Sequence, residues 1–284
     1  MSKIKNIGVF YNPRKKQVKE FFKLFEKWAD KKKVNYNIFH EMPASIPEID
    51  LAVVLGGDGT ILHIGRFLAG SKIPIIGVNM GRMGFLAETS ITDLWKELDE
   101  IILKKINNIQ KRFLLEIQIK RNKSVFQEYN AVNDIVIKNG ERARVVDLDV
   151  AVDNEFVARY TGDGVIISTP TGSTAYSLAS GGPIVYPLLD LMIISAISPH
   201  TLALRPLIIN ASKKITIDSV HKGQDVILCV DGQSMQKILK DDEIIIKRSN
   251  KAMYLVISKK QNYFEVLRKK LGWGKHISSR RVKK

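Results

Sequence analysis

At 284 residues and 45% hydrophobic composition the chain has enough apolar content to bury a large core and enough length for two domains, which excludes a disordered protein. Lys and Arg number 45 against 29 Asp and Glu, and the net charge of +16 favours anionic partners: nucleotides, polyphosphate, nucleic acid or acidic membranes. The one cysteine, Cys229 in "VILCV", excludes an intrachain disulfide and reads as a buried structural thiol. No apolar run approaches about 18 residues, so export and membrane spanning are unsupported and a cytoplasmic protein is expected.

Asn6 to Tyr11 is a short apolar run ending at Asn12-Pro13, and Val18, Phe21, Phe22, Phe25 and Trp28 then recur at helical spacing through 17–29. A strand and a helix are expected there. "VNYNIF" and "LAVVL" predict two more strands, Ile61 to Leu68 a helix, "IPIIGV" a fourth strand, and Thr92 to Lys105 a helix opened by the capping-box pair Ser90 and Asp93. Continuously apolar strands alternating with helices predict an α/β N-terminal domain with a parallel sheet covered on both faces, over residues 1–108. Ligands in such sheets sit at the carboxyl ends of strands, where "GGDGT" follows its strand.

From Phe113 the rhythm becomes alternating runs such as "LLEIQIKRN", "VVDLDVAVD" and "VILCVDG", separated by turn residues. These predict a β-rich C-terminal domain over 109–258, followed by a short amphipathic helix and the basic tail "SSRRVKK" in 259–284. Basic residues are scattered among acids and apolar positions without a zinc-finger or RNA-binding signature, so no nucleic acid is expected as a partner, and no membrane.

Two stretches carry chemistry. In "LGGDGTIL", Gly56, Gly57 and Gly59 let the backbone approach a polyphosphate closely. N–H groups at the start of the following helix supply donors, Thr60 adds a hydroxyl, and Asp58 points at whatever lies beside the phosphate. A plain glycine-aspartate turn is the alternative on these residues alone. The second stretch, "TGDGVIISTPTGSTAYSLASGGPIV", repeats Gly-Asp-Gly at 162–164 and then packs Thr169, Thr171, Ser173, Thr174 and Tyr176 together. That density reads as a set of donors and acceptors for a polar ligand, with Tyr176 as a stacking ring. Neither a Walker-type Gly-Lys-Ser/Thr loop nor the Rossmann glycine spacing is present. Asp231-Gly232 reads as a hairpin turn. The five histidines, His40, His63, His200, His221 and His276, lack metal-ligand spacing, so no protein-held metal is expected.

The sequence closely resembles the NAD kinase family. The resemblance rests on "GGDGT", "NMGRMGFL" (79–86), "ND" (133–134), "GDG" with "STPTGSTAY" (162–176), "SGGPIV" (180–185) and "PHTLALRP" (199–206), in one order over most of the chain. It implies an α/β domain, a β-rich domain and phosphoryl transfer from a nucleoside triphosphate such as ATP, with Mg²⁺, to the adenosine 2′-hydroxyl of NAD; the +16 charge separately suggests inorganic polyphosphate as a donor. By the same resemblance Asp58 takes the proton of the acceptor hydroxyl. Gly56, Gly57, Gly59 and Thr60 hold phosphate. Gly57, Asp58, Gly59, Phe85, Asn133, Asp134, Asp163, Thr174, Ala175 and Tyr176 line the NAD site, Asn133 and Asp134 at the adenosine half and Asp163 at the nicotinamide half. Arg82 is a further phosphate-contact hypothesis. The family also implies homodimers or homotetramers in which the segment bearing Tyr176 completes a neighbour's site. Aspartate stands at 134 where relatives often carry glutamate, and "SLASGG" replaces the commoner "SLSAGG", moving a hydroxyl from 179 to Ser180. A lipid kinase using the same glycine-aspartate loop and a non-catalytic NAD sensor are the competing readings. The first leaves "STPTGSTAY" without a role, and the second leaves Asp58 without one.

Overall fold

The computed structural model describes residues 4–13, 18–81, 84–86, 89–103, 106, 108–140, 144–219, 225–258 and 262–273. Arg82, Lys105, His221, His276 and the basic tail lie outside the described residues. The chain divides into two compact units, Met1–Ile61 with Pro74–Ile109 and Leu255–Lys284, and Leu62–Ile73 with Gln110–Tyr254.

The first unit opens with β1 (Asn6–Tyr11), α1 (Val18–Lys32), β2 (Asn35–Phe39) and β3 (Leu51–Gly56). α2 (Asp58–Phe67) follows, its last residues assigned to the second unit, and then β4 (Pro74–Asn79) and α3 (Ile91–Leu103). The strands lie in the order β2-β1-β3-β4 and are parallel throughout. β3 and β4 are almost wholly buried, as their unbroken apolar runs require of a sheet covered on both faces. Phe21, Phe25 and Ala29 of α1 and Leu94 and Leu98 of α3 pack with Ile7, Val9, Val53 and Val78 of the sheet. Trp28 Nε1 donates to Asp99 Oδ1 at 2.8 Å, tying the two helices together. The capping pair opens α3 as the sequence predicts. Asp93 N donates to Ser90 Oγ at 3.1 Å, and Ser90 Oγ donates back to Asp93 Oδ2 at 2.7 Å.

The second unit is built of strands: β5 (Ile109–Arg121), β6 (Ser124–Ala131), β7 (Asp134–Asn139), β8 (Val146–Val152), β9 (Glu155–Gly162) and β10 (Gly164–Ser168). The single 3₁₀ turn Gly172–Thr174 and α4 (Tyr176–Ala179) come next. β11 (Leu191–Ile197), β12 (Leu207–Asn210), β13 (Ile215–Ser219), β14 (Val226–Val230), β15 (Ser234–Ile238) and β16 (Glu243–Val256) complete the run. α5 (Tyr263–Leu271), which belongs to the first unit, closes the described chain, capped by Asn262 accepting from Glu265 N at 2.9 Å and by Gly272 in the left-handed region.

One six-stranded antiparallel sheet runs β12-β11-β10-β7-β14-β15. A second group runs β16-β13-β8-β9, again antiparallel, with β5 and β6 forming a hairpin beside β16. Alternate side chains of both groups, among them Ile135, Ile137, Leu148, Val165, Ile194, Ile217 and Leu228, meet in one core. The intervening residues Val136, Ile166, Ile197 and Cys229 form a smaller cluster. Burial there pushes the Cys229 thiol up, which suits a packing role and not a nucleophile. Among the described residues no helix is long and apolar enough to cross a membrane.

Candidate active site

In the first unit the glycine-rich motif forms the junction of β3 and α2. The helix begins at Asp58, three residues earlier than the apolar periodicity suggests, because the carbonyl of Gly57 already accepts from Thr60 N at 3.0 Å and Ile61 N at 3.2 Å. The motif is therefore a helix start, whose N–H groups point along the axis in the manner of anion sites. Gly56 accommodates the Thr60 side chain, since a Cβ there would lie 2.5 Å from Thr60 Oγ1. The Thr60 hydroxyl thus packs back toward the strand end.

The Asp58 carboxylate is oriented by backbone. Phe85 N donates to Oδ2 at 2.7 Å and Leu86 N donates to Oδ1 at 3.0 Å. Two N–H groups on two oxygens fix both the position and the rotation of the carboxyl plane. Phe85 itself is half-buried, with Lys270 Nζ 5.8 Å from its ring centroid.

In the second unit the structure brings together Asn133, Asp134, Thr174, Ala175 and Tyr176. Ser168, at the end of β10, pairs with Asp134, at the start of β7, so the loop leaving β10 emerges beside the Asn133-Asp134 bend. Thr169 N donates to Asn133 O at 2.9 Å, and Thr169 Oγ1 donates to Val132 O at 2.6 Å. Gly172 closes on the same bend: a Cβ there would fall 2.1 Å from Asn133 O. Ala175 N donates to Gly172 O at 2.9 Å, and the backbone N–H of Tyr176 bonds to the Asp134 carboxylate. Tyr176 is left 42% exposed.

The hydroxyl-rich run serves a different purpose from the one its composition suggests. Thr169 and Ser173 are fully buried and bond internally, Ser173 Oγ donating to Pro170 O and accepting from Val185 N. Buried polar atoms must find partners, and here they fold the loop on itself. Only Thr174, Ala175 and Tyr176 at its end are partly or fully exposed. Asp163 is not brought to this group. It sits at the far end of the β7-β10 ladder, where Asn139 N donates to its carbonyl and Asn139 Nδ2 to its Oδ1 at 3.3 Å, five residues or roughly 17 Å along the strand from Ser168.

Sequence reasoning missed the group beneath the bend. Asp231 and Gly232 both have positive φ, 49° and 65°, and Gln233 N donates to Val230 O at 2.9 Å, so the turn reading holds. The side chain does more than favour a turn. Fully enclosed, the Asp231 carboxylate accepts from Val132 N at 3.0 Å, Asn133 N at 2.8 Å and Asp134 N at 3.1 Å. Arg66 of α2 donates to Asp231 Oδ2 at 3.0 Å and to Gln233 Oε1 at 2.6 Å. Burial, then the Asp231 charge, pushes the Asp134 carboxyl up to about 7, against the pull of the Tyr176 N–H. Burial also pushes Asp231 upward, while its three backbone donors and Arg66 favour its ionised form. The sequence signal was present but nonlocal: an Asp-Gly turn and an arginine near the end of α2, 165 residues apart.

Comparison with known proteins agrees with these motifs. The ATP-NAD kinase N-terminal domain model matches residues 6–106 and the ATP-NAD kinase C-terminal domain model matches residues 132–258. A NAD kinase of Geotalea daltonii is 42% identical over 230 residues, 81% of either chain, and one of Heliobacterium modesticaldum is 35% identical over 281 residues, 95% of this chain and 99% of its own. Yeast NADH kinase complexed with NADH superposes with a TM-score of 0.87 at 28% identity, covering 100% of this chain and 91% of its own. A NAD kinase from Archaeoglobus fulgidus in complex with ATP gives a TM-score of 0.76 at 26% identity, covering 94% and 97%. Matched in both halves and in order, the chain belongs to the NAD kinase family.

Proposed function

We propose that the chain transfers the γ-phosphoryl group of ATP to the adenosine 2′-hydroxyl of NAD, with Asp58 receiving the hydroxyl proton. ATP-dependent phosphorylation of NAD is the activity that goes with the family. The observation that supports the residue-level reading is the Asp58 carboxylate, aimed by two backbone N–H groups at the first turn of α2. In a loose phosphoryl-transfer transition state the proton moves late, so a positioned carboxylate suffices and most of the rate comes from alignment.

In this reading Gly56, Gly57, Gly59 and Thr60 receive phosphate at the helix start. Asn133 and Asp134 bond the adenosine half, with Thr174, Ala175 and the Tyr176 ring beside them and Phe85 as an apolar wall. Asp163 serves the nicotinamide half, and the enzyme works as a homodimer or homotetramer in which the segment bearing Tyr176 completes a neighbour's site. Among the described residues no group of three or more His, Cys, Asp or Glu side chains could hold a metal. A divalent cation would arrive with the donor as MgATP, where phosphates and waters supply ligands and the ion neutralises phosphate charge. The +16 charge also suits inorganic polyphosphate as a donor.

The test is to incubate the protein with NAD and MgATP and to assay the product with a dehydrogenase specific for NADP, with polyphosphate replacing ATP in a second arm. NADP formed with ATP supports the reading. NAD binding by calorimetry without any NADP would leave a sensor in its place, and no product from polyphosphate would remove that donor alone.

A further inference from the structure

We infer that Asp231, held by Arg66, is a positioning residue of the adenosine subsite: its carboxylate fixes the Asn133-Asp134 bend and so sets the affinity for NAD. The inference rests on the reading that Asn133 and Asp134 hold the adenosine half.

Three consecutive N–H groups, of Val132, Asn133 and Asp134, converge on one carboxylate at 2.8–3.1 Å. Successive amides curled in this way form a concave anion receptor, and here the anion is supplied from 97 residues further along the chain. The ordinary β-ladder cannot do this work. β7 begins only at Asp134, and the two residues before it leave the strand, so their donors need an acceptor from elsewhere. Asp231 reaches them because its left-handed φ of 49° turns the hairpin between β14 and β15 back over the start of β7, where Val230 pairs with Ile135.

Arg66 makes that arrangement durable. The Asp231 side chain is wholly enclosed, and an isolated carboxylate in such a place is costly, but Arg66 bonds both the carboxylate and Gln233 at the other side of the turn. The bend is thus gripped from below by Asp231 and from the side by Thr169 N on Asn133 O. Both side chains proposed to meet NAD project from this gripped segment. Loss of the grip leaves the chemistry at Asp58 intact and loosens the placement of the adenosine, which is the signature of a residue that binds through another.

The experiment compares initial-rate kinetics and melting temperature for the wild type, Asn133→Ala, Asp231→Asn and Asp231→Ala. Asp231→Asn should raise KM for NAD by about 10- to 100-fold while kcat at saturating NAD and KM for ATP stay within about threefold, with Asp231→Ala more severe. A merely structural role would lower melting temperature and active fraction without splitting KM from kcat. Unchanged KM for NAD in Asp231→Asn, with Asn133→Ala raising it, overturns the inference and spares the subsite reading. Unchanged KM in Asn133→Ala overturns both. Should the Asp231 variants fail to fold, Gln233→Leu and Arg66→Lys loosen the same support. A severalfold rise in KM for NAD in either one upholds the inference, and no change in both overturns it.

Discussion

Gly84 leaves the space that the Asp58 carboxylate occupies: a Cβ on Gly84 would fall 1.8 Å from Asp58 Oδ1 and 2.7 Å from Oδ2. Glycine is required here for close approach, since the carboxylate must lie flat against the backbone of residues 84–86 to accept from Phe85 and Leu86. Gly84→Ala should therefore push the carboxylate aside. We expect kcat to drop on the order of 10²-fold, the cost of a displacement near 1 Å at a reacting centre, with melting temperature little changed. Full activity in a folded Gly84→Ala protein would show that the 84–86 backbone does not position Asp58.

Asp134 gives the chain a pH signature. Its carboxyl rises from 3.8 unfolded to about 7 folded, so between those values the native state holds a proton that the unfolded state has released. Its contribution to stability is complete below about pH 4 and is lost as pH rises through about 7. Asp231 is the charged group that acts on it from the β14-β15 turn, itself paired with Arg66 of α2, and both remain in the variant Asp134→Asn. That variant should lose the falling limb of melting temperature that wild type shows between about pH 4 and 7. Parallel curves for the two proteins would place Asp134 as an ordinary ionised carboxylate.

Tyr176 separates ring from backbone. Its N–H holds the Asp134 carboxylate whatever the side chain, while the residue as a whole is exposed. Tyr176→Ala should keep the loop and its melting temperature and weaken NAD binding by roughly 1–3 kcal/mol, the range for a lost base–aromatic stack. Calorimetry with NAD measures this directly, and an unchanged dissociation constant would take the ring out of the site.

Much of the architecture was legible because it rests on local rules. The apolar runs of β1, β3 and β4, the Ser90-Asp93 cap and the Asp231-Gly232 turn each announce themselves within a few residues. The apolar pattern points to a later start for α2 because glycines discourage a helix, whereas the Gly57 carbonyl closes the first turn from Asp58 onward. The buried roles of Thr169 and Ser173 were hidden for another reason. A run of hydroxyls looks alike whether it faces ligand or folds on itself, and only the packing of Gly172 against Asn133 O decides between the two. The partnership of Asp231 with residues 132–134 depends on the β7-β14 pairing, a register that no local pattern specifies.

The most direct test of the account is the turnover of Asp58→Asn with saturating NAD and MgATP. The amide keeps the size of the carboxylate but is a far weaker proton acceptor, so near-normal NAD binding is expected with a loss in kcat of roughly 10²–10⁴-fold, the range for a removed acid–base group. A kcat equal to that of the wild type would contradict it and remove Asp58 from the chemistry.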